Sequence, residues 1–145
     1  MIKTIISAVL LTLFSVNLAH AKPKTVIIGA TITQAYVIEV VTMPGYVGEK
    51  GMAMAIVKPT ENFKWNKEYP ASFEIMHYES VAATPLKKEA NFKEGKLCIP
   101  YIGVLARRAP IVATINFSVC NKKECLIFRN EQIILSLIVL KKNSK

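Results

Sequence analysis

The sequence has 145 residues, the usual size of one folded domain, and it contains three cysteines. It carries 19 lysine and arginine residues against 10 acidic residues, a formal charge of +9, and every acidic residue is a glutamate. A Ser–His–Asp triad is excluded because the chain has no aspartate, and no Walker loop or H-E-x-x-H motif is present. The composition therefore argues against most classes of enzyme.

The first segment has the pattern of a secretory signal peptide. Lys3 supplies a positive start, residues 5–16 form an apolar run too short to span a bilayer readily, and small residues precede a cleavage point after Ala21. We therefore predict a signal peptide at residues 1–21 and a mature chain at residues 22–145 that folds as a single domain. Since no other apolar run has membrane-spanning length, we expect a periplasmic or secreted protein without a transmembrane span.

The excess of basic residues limits the partners that are expected. In an exported protein it favours anionic envelope surfaces or acidic proteins, and nucleic acid is not an expected partner. The basic residues are scattered along the chain, with doublets such as Lys87-Lys88 and Lys122-Lys123. Most of them are expected simply to face solvent.

The mature sequence is a succession of short runs rich in Val, Ile, Thr and aromatic residues, separated by Gly, Pro and Asn. The predicted strands cover residues 25–33, 35–42, 51–58, 71–78, 81–86, 96–105, 110–119 and 131–140. Residues 89–95 are expected to form a loop, and Pro100 is expected to place its strand at a sheet edge or a bulge. With no convincing amphipathic helix, the pattern predicts an all-β fold, an antiparallel β-sandwich or barrel.

The clearest alternation precedes a pair of cysteines. From Ile111 to Val119 every second residue is apolar, and the residues between them are Val112, Thr114, Asn116 and Ser118; this alternation indicates a strand with one buried face. The strand runs into Cys120, four polar residues follow, and Cys125 comes next. A hairpin with a four-residue loop would set the two cysteines opposite each other, at a separation that suits a disulfide. The spacing therefore predicts a Cys120–Cys125 disulfide.

The predicted disulfide has two interpretations. As a structural staple it closes a small loop and contributes only about 2 kcal/mol in the chain-entropy model. As a redox pair it has the exposure of a loop tip, where Lys122 and Lys123 would favour a thiolate and Glu124 would oppose it. The third cysteine, Cys98, lies among apolar residues of a predicted strand and is expected to be a buried thiol.

Other residues with chemical potential are few. His77, the one histidine of the mature chain, lies in an alternating strand and is expected to be a half-buried structural residue. By ligand type alone, the chain could offer a zinc site at His77, Cys98, Cys120 and Cys125 or a copper site at Met52, Met54, Met76 and His77. The remote spacing of the zinc ligands and the frequency of methionine in cores argue against both sites. No metal or cofactor is predicted.

Three segments resemble a known family, namely residues 63–70 (FKWNKEYP), 89–92 (EANF) and 115–125 (INFSVCNKKEC). With the final apolar strand, they are similar to the amino-terminal periplasmic domain of the thiol–disulfide interchange protein DsbD and to small exported relatives of that domain. The resemblance covers roughly residues 45–141. It implies an immunoglobulin-like sandwich in which a hairpin cysteine pair takes electrons from a membrane partner and passes them to periplasmic disulfide proteins.

The resemblance also implies roles for individual residues. The two hairpin cysteines match the redox pair of the family, and Phe92 matches the aromatic cap that shields it. Glu89 stands where the family has acidic residues near the cap. Phe63 and Trp65 fall at positions where the family has aromatic residues.

We therefore expect a periplasmic thiol–disulfide exchange module in which Cys120 and Cys125 form a reversible pair that passes reducing equivalents to a partner protein. It would act as a component of a thiol–disulfide oxidoreductase system, with a periplasmic or membrane thiol–disulfide protein as its partner. The alternative is a non-catalytic binding or structural protein of the envelope. That protein would have the same fold, a permanent hairpin disulfide and a basic surface.

Overall fold

The computed structural model describes residues 26–143, with side chains from residue 33 onward, so the predicted signal peptide lies outside the described residues. Within this range the chain forms eleven strands and no helix. The strands are β1 (Val26–Ile32), β2 (Tyr36–Met43), β3 (Gly45–Tyr46), β4 (Lys50–Pro59), β5 (Lys64–Trp65), β6 (Ser72–Tyr78), β7 (Ala83–Pro85), β8 (Asn91–Lys93), β9 (Lys96–Gly103), β10 (Arg108–Cys120) and β11 (Cys125–Leu140).

The strands form two sheets. A six-stranded sheet has the order β1-β2-β4-β9-β7, with β8 also paired to β9, and a five-stranded sheet has the order β3-β11-β10-β5, with β6 also paired to β10. All of these pairings are antiparallel except the short contact between β3 and β11. The predicted all-β fold and its antiparallel sandwich are confirmed. The immunoglobulin-like strand arrangement implied by the resemblance stays a prediction.

The core lies between the sheets and is built from alternate residues of the longer strands. On β10 the residues of the predicted inner phase, from Ile111 to Val119, are all 0% exposed. On the facing sheet Ala53, Leu97 and Ile99 are also 0% exposed. Since full burial of one aliphatic side chain contributes about 1.5–3 kcal/mol, this alternation fixes which face of each strand looks inward.

Tyr101 of β9 links the two sheets through its hydroxyl group. The hydroxyl donates a hydrogen bond to the Ile138 carbonyl oxygen at 2.8 Å, and the Ile138 backbone N–H donates to the same hydroxyl at 3.2 Å. The end of the ring lies directly over Gly51, where a Cβ atom would overlap it. A glycine is therefore required at this position of β4 for the tyrosine to cross the core.

Pro100 lies neither in an edge strand nor at a bulge of the ladder with β4, so that prediction is wrong. Its strand pairs with β4 on one side and with β7 and β8 on the other. The carbonyl oxygen of Pro100 accepts the Leu86 N–H at 2.8 Å, on the side of β7 and β8. In an antiparallel ladder a residue points both backbone polar groups the same way. The missing N–H of Pro100 therefore faces the gap after Pro85 and before Asn91, where no ladder bond is lost.

Two further segments differ from the prediction. The predicted loop at residues 89–95 contains β8, which forms a hairpin with β9 through Glu94 and Gly95, both with positive φ (48° and 80°). The last strand begins at Cys125 and not at residue 131. It absorbs a bulge at Asn130, which has φ 54° and donates its backbone N–H to the side-chain oxygen of Asn116 at 2.8 Å.

His77 is exposed and not half-buried as expected. The register between β6 and β10 shifts where Val112 pairs with His77 and Ala113 pairs with Ile75. Because the shift inserts one residue, Tyr78 takes the inward position that simple alternation gives to His77.

Candidate functional site: the cysteine hairpin

A disulfide joins Cys120 and Cys125 at the tip of the longest hairpin. Cys120 is the last residue of β10 and Cys125 the first of β11, and they are register partners with Cα atoms 4.0 Å apart. The disulfide predicted from the spacing is thus present. Cys125 is exposed, whereas Cys120 is half-buried.

The loop between the cysteines is held by Asn121. Its side-chain oxygen accepts the backbone N–H groups of Lys123 and Glu124, both at 2.8 Å. Its own N–H donates to the Glu124 carbonyl oxygen at 2.9 Å. An asparagine that bonds to its own backbone ahead is a stable turn in itself. The hairpin loop is therefore held by these three hydrogen bonds in addition to the sulfur–sulfur bond.

The short strand β5 lies along the other side of β10. Lys64 is the register partner of Cys120, and Trp65 that of Val119. The backbone N–H of Asn66 then donates to the Ser118 carbonyl oxygen at 3.0 Å. Cys120 is consequently flanked by backbone on both sides, whereas Cys125 has β10 as its one neighbour in the sheet.

An open groove of about 870 Å³ runs beside Cys120. Its walls are the segment before β5 and the tip of the hairpin. The lining residues are Glu61, Asn62, Phe63, Lys64, Cys120, Asn121, Lys122 and Lys123. The lining of the groove therefore contains one aromatic side chain and one cysteine, together with three cationic side chains and one anionic side chain.

The charges around the sulfur atoms are mostly positive. Lys64, Lys122 and Lys123 are exposed at the groove, against Glu61 on its wall and Glu124 beside Cys125. Nearby cations stabilise a thiolate relative to a thiol. The site can therefore favour the charged form of a cysteine once the disulfide is reduced.

The aromatic residues predicted for the site fall into two places. Phe63 lines the groove with Cys120. Trp65 stacks on Phe117 in the core at 5.7 Å between ring centroids and meets Phe92 edge to face, also at 5.7 Å. Phe92, on β8, therefore packs against Trp65, the residue that follows the groove-lining Lys64. Of the predicted aromatic residues, the one that shares the groove with the sulfur is Phe63.

Glu89 lies in the segment between β7 and β8. Its carboxylate forms an ion pair with the Lys50 ammonium group at 2.8 Å, and both side chains are more than half exposed. Lys50 is the first residue of β4. Val57, near the other end of the same strand, donates its backbone N–H to the Gly95 carbonyl oxygen in the β8–β9 turn. The contact of Glu89 is therefore with the first residue of β4 and not with the groove lining.

Cys98 is half-buried and lies on the outer face of the six-stranded sheet. It was expected to be a buried thiol, but the inner phase of β9 belongs to Leu97 and Ile99. The disulfide and His77 belong to the other sheet, so the conceivable zinc ligands are not assembled. Among residues 26–143, no three His, Cys, Asp or Glu side chains are grouped closely enough to hold a metal ion.

Sequence reasoning missed Lys64 and Asn121 as members of this site. Lys64 is one lysine among many, and its position follows from the pairing of β5 with β10, which two residues of sequence do not reveal. Asn121 did carry a local signal, because asparagine directly after a strand often forms such turns.

Comparisons of the chain with protein-family models, curated proteins and solved structures find no match. In the part of the chain that the structure describes, no helix has the length and hydrophobicity needed to cross a membrane.

Proposed function

We propose that the protein is an exported thiol–disulfide exchange module in which Cys120 and Cys125 form a reversible redox pair. The observation that carries this proposal is the asymmetry of the pair at the hairpin tip. Cys125 is exposed, and Cys120 is half-buried beside an open groove rimmed by Lys64, Lys122 and Lys123. Exchange needs one sulfur that a partner can reach and a second that stays close by to resolve the mixed disulfide.

The small structural value of the disulfide supports a redox role. The ladder between β10 and β11 extends from Arg108 and Ile138 to the two cysteines, and Asn121 closes the turn. A bridge across so short a loop adds only about 2 kcal/mol. The hairpin can thus keep its shape in both redox states, which a reversible pair requires.

The exchange step follows from the two exposures. In the reduced protein the Cys125 thiolate attacks one sulfur of a partner disulfide, and the other partner sulfur leaves as a thiolate that takes up a proton. The Cys120 thiolate then attacks Cys125 in the mixed disulfide and expels the first partner sulfur. Two electrons pass to the partner, and the Cys120–Cys125 bond forms again.

The oxidised pair must then be reduced by a second protein. A dithiol of the periplasm or of the membrane surface would supply the two electrons by the reverse sequence, with its own cysteines ending as a disulfide. The resemblance of residues 63–70, 89–92 and 115–125 to the DsbD amino-terminal domain would imply this class of partner. The groove beside Phe63 suits an extended segment around a partner cysteine, because it is open along the surface.

Single-cysteine variants test the proposal. Cys120→Ser/Cys98→Ser leaves Cys125 as the one thiol, and Cys125→Ser/Cys98→Ser leaves Cys120. With glutathione disulfide, the variant that keeps Cys125 should form the mixed disulfide at least about tenfold faster, because the exposed sulfur is the more accessible of the two and exchange rates depend on access. Equal and slow reaction of both variants, at the rate of an unfolded cysteine peptide, would contradict the proposal.

A second candidate function is a non-catalytic envelope protein with a permanent disulfide. The groove charges favour it, since three exposed lysines surround one wall of the site. This function predicts binding to anionic phospholipid vesicles that weakens in Lys64→Glu/Lys122→Glu and is the same in the oxidised and reduced protein. Absence of vesicle binding by the unsubstituted protein would count against it.

A further inference from the structure

Sulfur atoms are gathered on the outer face of the six-stranded sheet. Cys98 of β9 is the register partner of Met54 of β4. Met52 lies two residues before Met54 on the same face. The register partner of Met52 is Met43 of β2. The alternate residues of β4, Ala53 among them, point into the core at 0% exposure, so these four sulfur-bearing residues share the outward phase.

The register brings three of the sulfur atoms within reach of one another. Side chains directly opposite in an antiparallel pair have Cβ atoms about 4.5–5.5 Å apart, and diagonal neighbours are about 7–8 Å apart. Cys98 is directly opposite Met54 and diagonal to Met52. Because methionine has three rotatable bonds, both thioethers can approach the thiol without movement of the backbone.

The surroundings of this sulfur cluster are partly apolar, with the exposed Asn91 of β8 as the register partner of Cys98 on the side away from Met54. Val41, the register partner of Met54 on its other side, is only 6% exposed although it does not belong to the core between the sheets. Met52 and Met54 are each half-buried. Two acids lie on this face, and both are paired: the Glu39 carboxylate with the Lys58 ammonium group at 2.7 Å and the Glu89 carboxylate with the Lys50 ammonium group at 2.8 Å.

We propose that Cys98, Met52 and Met54 form a binding site for a soft monovalent metal ion, of the chemical class of Cu(I), with Met43 at its rim. Thiolate and thioether ligands select soft ions of this kind. On binding, the Cys98 thiol releases its proton to solvent as the metal–sulfur bond forms, so the ion and the thiolate neutralise each other.

Charge balance favours a monovalent over a divalent ion at this site. A divalent ion with one thiolate would leave a net positive charge on a face that Lys50, Lys58 and Lys96 already border. Neither His77 nor Met76 belongs to the cluster, because both lie on β6 in the other sheet. The conceivable copper ligands of the sequence are therefore divided, and Cys98 and Met43 take the place of the β6 pair.

Titration with Ag(I), a redox-inert ion of the same class, tests the site in the purified oxidised protein, with Cu(I) competition against a chelator as the second measurement. We expect one ion per chain, and binding at least about tenfold weaker in Cys98→Ser and in Met54→Leu, since even outer-shell changes at metal sites cost that much. Met76→Leu is the matched control and should bind as the unsubstituted protein does. Thermal unfolding of each variant without metal shows that its fold is intact.

The hairpin cysteines provide the decisive comparison. Cys120→Ser/Cys125→Ser removes the proposed redox pair and should leave Ag(I) binding unchanged, so the metal site and the exchange function stand or fall separately. Retention of full binding in Cys98→Ser would overturn the site. So would a loss of binding in Met76→Leu or in the hairpin double variant.

Discussion

Lys64 of β5 lies directly opposite Cys120 of β10, so the two side chains leave the same face of the sheet as neighbours. The pairing follows from the segment around Phe63, whose backbone N–H donates to the Thr60 carbonyl oxygen at 2.9 Å and so directs the chain into β5. A cation at this position stabilises the reduced form of the pair, because only the reduced form contains a thiolate.

Removal of the Lys64 charge should therefore make the disulfide harder to reduce. An exposed charge pair contributes about 0.2–1 kcal/mol, and 30 mV corresponds to about 1.4 kcal/mol for a two-electron couple. Lys64→Gln should thus shift the reduction potential by about 5–20 mV to more negative values. Lys67→Gln is the control, because it removes the same charge from the loop after β5. An equal change of the reduction potential in both variants would show that the position of Lys64 opposite Cys120 does not affect the potential.

Removal of the disulfide should cost little stability. Cys120→Ser/Cys125→Ser should lower the free energy of unfolding by about 2 kcal/mol, the chain-entropy value for a loop of this length. Urea denaturation measures the change, with Cys98→Ser as the control for loss of a sulfur outside the hairpin. Far-UV circular dichroism should keep its β signature, because Asn121 still closes the turn. A variant that fails to fold would show that the disulfide is a structural requirement.

Tyr36 should make the protein sensitive to alkali. Its hydroxyl donates to the Glu131 carboxylate at 2.8 Å. Burial, the hydrogen bond and the charge of Glu131 together raise the pKa of Tyr36 well above its usual range. Since the unfolded tyrosine ionises near pH 10 and the folded one does so only at higher pH, the stability that Tyr36 contributes is complete below about pH 10 and is lost as the pH rises further.

Comparison with Tyr36→Phe isolates this contribution. At pH 8 the variant should be less stable by about 1.5–3 kcal/mol, the range for a hydrogen bond to a charged group. Urea denaturation at a series of pH values should show this difference shrinking above pH 10, because the unfolded state of the unsubstituted protein ionises there. A difference that stays constant up to pH 11 would contradict the raised pKa.

Gly51→Ala should destabilise the fold through Tyr101. The added Cβ would overlap the end of the tyrosine ring, which must shift against the Ile138 backbone. Overpacking of this kind costs about 1–3 kcal/mol in free energy of unfolding. In a Tyr101→Leu background the overlap is gone, so the same substitution should be neutral or stabilising. An equal cost in both backgrounds would mean that the ring does not require the glycine.

The alternation of β10 predicted its structure correctly because one face of that strand is fully buried, from Ile111 to Val119. The disulfide was also predictable, since strand ends and loop length alone set its geometry. The strand β8 was missed because three residues have no periodicity of their own, and the pairing with β9 stabilises them.

Where the register shifts, alternation fails for a physical reason. The bulge in β6 exchanges the positions of His77 and Tyr78, and the bulge at Asn130 joins Leu126 and Phe128 to the last strand in an inward phase. The partners of a site across strands, such as Lys64 for Cys120 and Cys98 for Met54, depend on pairing between distant segments. No local pattern in the sequence contains that pairing.

The reduction potential of the Cys120–Cys125 pair tests the central proposal most directly. It is measured by equilibrating the protein, with Cys98→Ser to remove the third thiol, in glutathione or dithiothreitol buffers of known ratio. The proposed exchange function predicts a value of about −120 to −270 mV, the range of known exchange proteins. A value below about −300 mV would identify a permanent structural disulfide and contradict the proposal.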